Sequence, residues 1–281
     1  MSSELAITLI DVGWGDTILL ESLDGQGVRR FALIDCNDST YDRSGYLFVK
    51  RFFERERVDY RRIDRNFDWV LLTHGHADHA QGLKQMLRTF GTERFWYPKS
   101  VASTSYGDLL RYANRAPKRV GFHQAVDRTK ILPAFGDVSL EILWPDYGEV
   151  DQRNENNNSV VLELTLGQVS VLLTGDAEAE NWPRIVPRAS WSTLRVFQSP
   201  HHGALNGVFD GAAAPWLDAL ANHSVVAMSS HIEPHGHPHP NVIAEFQARQ
   251  VEHYRTDRHS HLRFWTDGQD VRLRYSHDEL I

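Results

Sequence analysis

Short blocks of β-forming residues alternate with stretches whose apolar positions recur at helical spacing, and this alternation organises the whole chain. Leu5 to Ile10, Thr17 to Leu20 and Phe31 to Ile34 form the first three blocks, separated by turns holding Gly13, Gly15, Gly25 and Gly27. They predict an N-terminal β-meander. Tyr46 to Phe53 carries apolar residues at helical spacing among Lys50, Arg51 and Glu54, which predicts a surface helix. Trp69 to Leu72 reads as a buried strand, Thr73 to His79 as a loop, and Gln81 to Phe90 as a helix with Leu83, Met86 and Leu87 on one face.

Further strands are predicted at Val138 to Trp144, Val160 to Leu166 and Val169 to Leu173, the last two joined by a tight turn at Gly167. Thr174, Gly175 and Asp176 end the third, and Glu178 to Trp182 starts a helix. Leu194 to Phe197 and Val225 to Met228 read as buried strands, and Val242 to Gln250 as a helix. His261 to Trp265 and Val271 to Tyr275 form a hairpin around Asp267-Gly268. Two groups of strands with helices between them, without a linker or internal repeat, predict a single α/β domain with two packed sheets.

Composition narrows the function classes. The chain has 281 residues, 41% apolar, enough for a sizeable core, and a formal net charge of -7. That balance argues against a protein that coats nucleic acid with its whole surface, though not against a local basic groove. Cys36 is the single cysteine, so neither an internal disulfide framework nor a cysteine-based zinc cluster is possible. The first ten residues lack a signal-peptide pattern, and no apolar run reaches the roughly 18 residues of a membrane helix. The expectation is a soluble cytoplasmic protein that does not engage membranes.

Histidine changes the picture. Of fifteen, three lie within residues 74–79, two at 201–202 and four within 231–239. In Thr73-His74-Gly75-His76-Ala77-Asp78-His79, four potential metal ligands fall within six residues, and they converge if the small residues Gly75 and Ala77 let the loop turn tightly. Neutral imidazole and carboxylate oxygen suit divalent zinc or manganese. His74 and His76 point to one ion, Asp78 and His79 to a second. A merely polar surface loop is the competing reading, and the rarity of histidine counts against it.

This motif, following a buried strand, resembles the metallo-β-lactamase superfamily signature His-x-His-x-Asp-His. Asp11-Val12-Gly13-Trp14-Gly15-Asp16 and Leu33-Ile34-Asp35 resemble its N-terminal meander. Asn156-Asn157-Asn158-Ser159-Val160-Val161-Leu162, Leu172-Leu173-Thr174-Gly175-Asp176, Pro200-His201-His202-Gly203 and Gly236-His237-Pro238-His239-Pro240 look like the branch typified by the hydrolase domain of ComEC/Rec2 DNA-uptake proteins. The likeness runs from about residue 5 to residue 245. It implies a four-layer αββα sandwich over residues 1–281 and a hydrolase holding two divalent ions, zinc or manganese. It also implies that Asp176 is the carboxylate shared by both ions, and that one of His201 and His202, with His201 favoured, completes the second ion's ligands.

The chain departs from most of the superfamily in having no histidine from Gln124 to Pro200, where a third imidazole for the first ion is expected. Asn156, Asn157 and Asn158 lie near that place. Either the first site is oxygen-rich and suits manganese better than zinc, or it is weakly filled. Asp78 and His237 are the candidate catalytic residues, His237 as a proton donor or substrate contact, with His239 a weaker candidate. His231, His235, His253, His259, His261 and His277 are given no role.

The ligand set serves a phosphodiester, a lactam, a lactone or a thioester equally well. From Lys99 to Lys130 seven basic residues (Lys99, Arg111, Arg115, Lys118, Arg119, Arg128, Lys130) accompany Asp108 and Asp127, interleaved with Tyr106, Tyr112 and Phe122. Read as an insertion near the site, 99–130 would supply phosphate contacts and base stacking; read blandly, it is a solvated helix face. The first expectation is therefore a phosphodiesterase or nuclease acting on DNA. The second is a hydrolase of a small phosphoester, cyclic nucleotide or lactone. The third is a non-catalytic module that binds a partner or nucleic acid.

Overall fold

The computed structural model describes residues 2–38, 43–100 and 104–276. Strands β1 (Glu4–Leu9), β2 (Ile18–Leu23) and β3 (Arg29–Ile34) form the expected antiparallel meander. Helix α1 (Ser44–Arg55) then crosses to β4 (Phe67–Leu71), which pairs parallel with β3. The short α2 (Ala77–Ala80) and α3 (Leu83–Phe90) lead to β5 (Thr92–Pro98), and α4 (Thr104–Arg115) leads to β6 (Val120–Val126); both strands extend the parallel run. The C-terminal hairpin β13 (His261–Thr266) and β14 (Val271–Ser276) adds to the free side of β1, which gives an eight-stranded sheet ordered β14-β13-β1-β2-β3-β4-β5-β6.

The second sheet is ordered β12-β11-β10-β9-β8-β7. Its antiparallel half comprises β7 (Ser139–Trp144), β8 (Val161–Leu166) and β9 (Val169–Leu173). Its parallel half continues through β10 (Leu194–Gln198), β11 (Val225–Met228) and β12 (His253–Arg255).

Three apolar layers account for this arrangement. Between the sheets pack Leu5, Ile7, Leu20, Trp69, Trp96, Leu162, Leu164, Val171 and Phe264. On the outer face of the first sheet, α1 presents Phe48, Val49, Phe52 and Phe53 and α3 presents Leu83, Met86, Leu87 and Phe90, each set at helical spacing. Trp182, on α5 (Trp182–Ile185), Val208, on α6 (Leu205–Val208), Trp216, on α7 (Pro215–Ala219), and Phe246, on α8 (Pro240–Ala248), cover the second sheet. The result is the four-layer αββα sandwich. Strands such as β9, buried along its whole length, face a sheet on one side and helices on the other, so they read as apolar runs rather than alternations.

Two expectations change here. The stretch between Phe90 and Val138 is framework, because β5, α4 and β6 pack into the first sheet and its helical cover. The loop expected through His79 ends sooner: Ala77–Ala80 is a helical turn that begins immediately after His76. Residues 101–103 of the basic segment, and His277, lie outside the described residues. Among the described residues no helix is long and apolar enough to cross a membrane.

Candidate metal centre

The strand β4 delivers Thr73 to His79 at its C-terminal end, and the turn α2 brings Asp78 and His79 to one side. Gly75 leaves no room for a side chain: a Cβ there would lie 2.7 Å from Ser100 Oγ and 2.9 Å from Glu155 Oε1, and its N–H donates to that same Glu155 oxygen. Across the sandwich, β9 ends in Thr174-Gly175-Asp176. Gly175 adopts a left-handed conformation (φ +51°) against Thr73 and Ser159, which directs the fully buried Asp176 at the histidine loop.

The two oxygens of Asp176 face different imidazoles. Oδ1 lies 3.3 Å from His79 Nε2 and 3.5 Å from His202 Nε2. Oδ2 lies 3.7 Å from His74 Nε2 and 3.9 Å from His201 Nε2. Asp78 Oδ2 joins the first group, 3.5 Å from His202 Nε2 and 3.7 Å from His79 Nε2. His76 joins the second, its Nδ1 3.1 Å from His74 Nε2. Donor atoms of Asp78, His79, Asp176 and His202 all lie within 4.8 Å of one another.

The preference for His201 beside Asp78 and His79 is thus corrected: His202 occupies that position and His201 stands on the other side of Asp176. The cause is local. His201 and His202 are both left-handed (φ 50° and 55°), so the chain reverses sharply and sends consecutive imidazoles to opposite sides of one carboxylate. Such conformations cost about 1–3 kcal/mol each for non-glycine residues and cluster at functional sites. Here His201 N–H donates to Gly175 carbonyl, and His202 Nδ1 lies 2.9 Å from the Ser229 carbonyl oxygen.

Three buried atoms aimed at one point, His79 Nε2, His202 Nε2 and Asp176 Oδ1, have no hydrogen-bond partner among the described residues. Buried polar atoms are ordinarily satisfied, and a divalent cation would satisfy all three. The residues therefore fit a metal ion.

A second layer holds these ligands. Asp35 Oδ2 lies 2.7 Å from His79 Nδ1, while Asp35 also accepts from Thr73 N–H at 2.7 Å and Thr73 Oγ1 at 2.6 Å. A carboxylate behind a ligand imidazole fixes its tautomer and orientation. Asp16 and Asp35 come close to His79 as well. Asp35, however, meets the ring on the nitrogen opposite the one facing Asp176, so this group supports the centre. Sequence reasoning gave Asp35 and Asp16 no role in the centre. The available signal was an acid ending a buried strand, Phe31 to Ile34.

Electrostatics match this geometry. Burial, reinforced by His79 and His76, holds His74 well below the usual histidine range, so it is neutral. Burial opposes charge on His79 and His202 too, but neighbouring carboxylates outweigh it: Asp176, Asp35 and Asp78 raise His79 well above its ordinary value, and Asp176 and Asp78 bring His202 to about 9. Against burial, His79 and His202 hold Asp78 and Asp176 below the usual carboxylate range. Burial pushes Asp35 up to about 6 despite His79. The buried carboxylates thus favour positive charge between His79 and His202.

The other expected residues divide. His237 is half-buried, its ring 5.5 Å from that of His201, and its Nδ1 has no partner among the described residues. Burial and the nearby His201 and His202 lower it to about 4, so at neutral pH it is an uncharged hydrogen-bonding group. His239 accepts from Asn241 N–H and caps α8. Of the three asparagines only Asn156 faces the centre: its Nδ2 donates to Glu178 Oε1 and lies 3.4 Å from His201 Nε2, and its Oδ1 has no partner among the described residues. Asn157 is tied to Asp151, Glu180 and Asn181, and Asn158 to Asp151 and Glu155, so both hold the turn.

The basic segment does not overhang the site as a unit. Its α4 runs away from Lys99, and Val120 pairs with Thr92 at the end of the sheet opposite the histidine loop, where Arg119 bonds the Asp64 carbonyl. Tyr106 is buried with its hydroxyl on the Pro98 carbonyl, and Tyr112 packs on the core.

Sandwich and centre together define a metal-dependent hydrolase class, and a family profile of the metallo-beta-lactamase superfamily matches residues 8–210. The chain belongs to that superfamily. Within it, the chain is 23% identical over 273 residues to ComE operon protein 3 of Bacillus subtilis, covering 94% of this chain and 33% of that protein. It is 28% identical over 202 residues to Recombination protein 2 of Haemophilus influenzae, covering 70% of this chain and 21% of that one. The chain thus spans a third or less of these curated relatives. Among solved structures, the metallo-beta-lactamase fold protein YhfI from Bacillus subtilis superposes with a TM-score of 0.56 at 15% identity, over 96% of this chain and 100% of that one. Unliganded yeast PDE1 superposes with a TM-score of 0.53 at 10% identity, over 90% and 97%. Both show a shared fold.

Proposed function

We propose that the protein is a phosphodiesterase that holds two divalent ions, zinc or manganese, and hydrolyses DNA. The observation that carries this reading is Asp176, whose two oxygens each face a separate group of imidazoles, so that two ions would share one carboxylate. His79, His202 and Asp78 would hold one ion, and His74, His76 and His201 the other. Bound there, such ions lower the pKa of a water and stabilise charge on a phosphoryl oxygen.

The chain's own groups do the rest. Asp35 keeps the His79 Nε2 lone pair turned inward, and the Ser229 carbonyl does the same for His202. Asp78, beside His79 and His202, would also orient the attacking water, and His237, uncharged at neutral pH, would donate a hydrogen bond to the substrate. The curated relatives, a ComE operon protein and a recombination protein, support a nucleic-acid substrate. A small phosphoester is the second reading. It is favoured by the placement of Arg119 and the start of β6 at the far end of the sheet, which takes this part of the basic segment away from the centre.

The test is digestion of plasmid DNA, single-stranded DNA and bis(p-nitrophenyl) phosphate by chelated protein reloaded with manganese, zinc or magnesium, with Asp78→Ala and Asp176→Ala as controls. Metal-dependent cleavage of DNA that both substitutions abolish is expected. Cleavage of the small ester alone would favour the second reading, and no hydrolysis with any metal would overturn the proposal.

A further inference from the structure

An open cleft of about 470 Å³ adjoins the metal centre, lined by Trp14, Asn37, Gln81, His231 and Glu233 among others. It shares a wall with the centre. Gly15 packs so tightly on Asp78 that a Cβ there would lie 2.8 Å from the Asp78 Cβ, and Asp16 N–H donates to the Asp78 carbonyl. Gln81 follows His79 by two residues.

Trp14 stands between two left-handed glycines, Gly13 (φ +75°) and Gly15 (φ +88°), a conformation open to glycine that turns the chain tightly on both sides of the indole. Its ring meets His235 edge-on at 5.3 Å. His235 lies 6.0 Å from His237, and His237 lies 5.5 Å from His201, so a row of rings leads from the cleft to the metal centre.

The polar groups of the cleft are ordered. Asn37 Nδ2 donates to the Trp14 carbonyl, and Gln81 Nε2 donates to Asn37 Oδ1, which leaves Gln81 Oε1 as an acceptor. Glu233 supplies a carboxylate at the rim. An aromatic platform flanked by acceptors selects a flat ring with N–H donors, and the negative charge of Glu233 disfavours a phosphate in the same space.

We propose that this cleft is a nucleobase subsite. A base bearing an exocyclic amine stacks on Trp14 and donates to Gln81 and Glu233, while its phosphodiester lies at the metal centre. The proposal rests on the phosphodiesterase reading for the orientation of the substrate, but base binding itself is measurable without hydrolysis.

Two measurements test it. The first is the ratio of kcat/KM for the p-nitrophenyl ester of adenosine 5′-phosphate to that for bis(p-nitrophenyl) phosphate, which has no base. Base–aromatic stacking predicts that Trp14→Ala lowers this ratio roughly 10- to 100-fold, mainly through KM, and that Trp14→Phe restores most of it. The second is calorimetric binding of adenosine, which lacks a phosphate, to the intact protein; Trp14→Ala should weaken it at least about tenfold. An unchanged ratio together with unchanged adenosine affinity would overturn the proposal, as would wild-type protein that binds no adenosine. If the wild type hydrolyses neither these esters nor DNA yet binds adenosine through Trp14, the hydrolase reading fails and this one stands.

Discussion

Replacing Asp35 by asparagine keeps the shape of a fully buried side chain and alters its hydrogen-bonding capacity. Asp35 accepts on both oxygens: Oδ1 from Thr73 N–H at 2.7 Å, Oδ2 from Thr73 Oγ1 at 2.6 Å and at 2.7 Å from His79 Nδ1. An asparagine must place an NH2 at one of these positions. Facing Thr73 N–H, it sets donor against donor and strands a buried backbone amide, at a cost of about 1–3 kcal/mol. Facing His79, it requires Nδ1 to accept, which shifts the proton to Nε2, the nitrogen aimed at Asp176, and disables it as a ligand. Outer-layer substitutions of this kind typically cost 10- to 100-fold in metal affinity. The expected result for Asp35→Asn is therefore a loss of affinity of about that size, measured by competition with a chromogenic chelator. If the first orientation prevails, metal-free protein should instead melt several degrees lower, at about 2–4 °C per kcal/mol for a domain near this size. Wild-type metal affinity and wild-type melting temperature together would refute the assignment of Asp35 as the residue that orients His79.

Three further outcomes are expected. Gly15→Ala forces a Cβ against Asp78 at φ +88° and should lower both metal content, by elemental analysis, and the melting temperature; wild-type values would show that the loop yields. In metal-free protein, His202 at about 9 contributes stability that is complete below its ordinary value near 6.5 and is lost as pH rises through 9. Asp35, raised to about 6, acts in the same direction between about pH 4 and 6, while the lowered Asp78 and Asp176 withdraw stability below about pH 4. Urea titration of chelated protein should thus show stability falling from pH 6 to 9, by on the order of 3 kcal/mol from His202; a rise would contradict the buried imidazolium. Cys36, fully buried and with its thiol pushed well up by burial, should not react with a thiol reagent until the protein unfolds; rapid labelling of native protein would be inconsistent with the packing of Gly82 against it.

Much of this architecture is written in residue order, and the exceptions have physical causes. Val225–Met228 falls where its apolar run predicts, and the C-terminal hairpin forms around Asp267-Gly268 as expected. Thr92–Pro98 and Val120–Val126 escape pattern reading because their partners are distant in sequence and polar residues interrupt their apolar runs. Tyr106, Leu109 and Ala113 do carry helical spacing in α4, but the surrounding charges draw attention to chemistry rather than packing. At the centre, His74, His76, Asp78 and His79 are legible because one short loop holds them. The division of labour between His201 and His202 depends on two left-handed backbone conformations that no residue type announces. His235, given no role from sequence, gains its interest only from lying against Trp14, more than two hundred residues away.

The two halves of the sandwich are clasped beneath the centre by hydrogen bonds that need no ion. Gln198 Nε2 reaches from β10 to Asp16, Val160 N–H reaches from the edge of β8 to the Thr73 carbonyl, and Gln198 Oε1 also receives Thr174 N–H. Packing of the sheets and placement of the ligand loops are therefore one event, and order bought by the fold lowers what binding must cost. An imidazole can hold a cation only through a nitrogen that carries no proton, so ion binding at this clasped centre is coupled to proton release and weakens as the solution becomes more acidic.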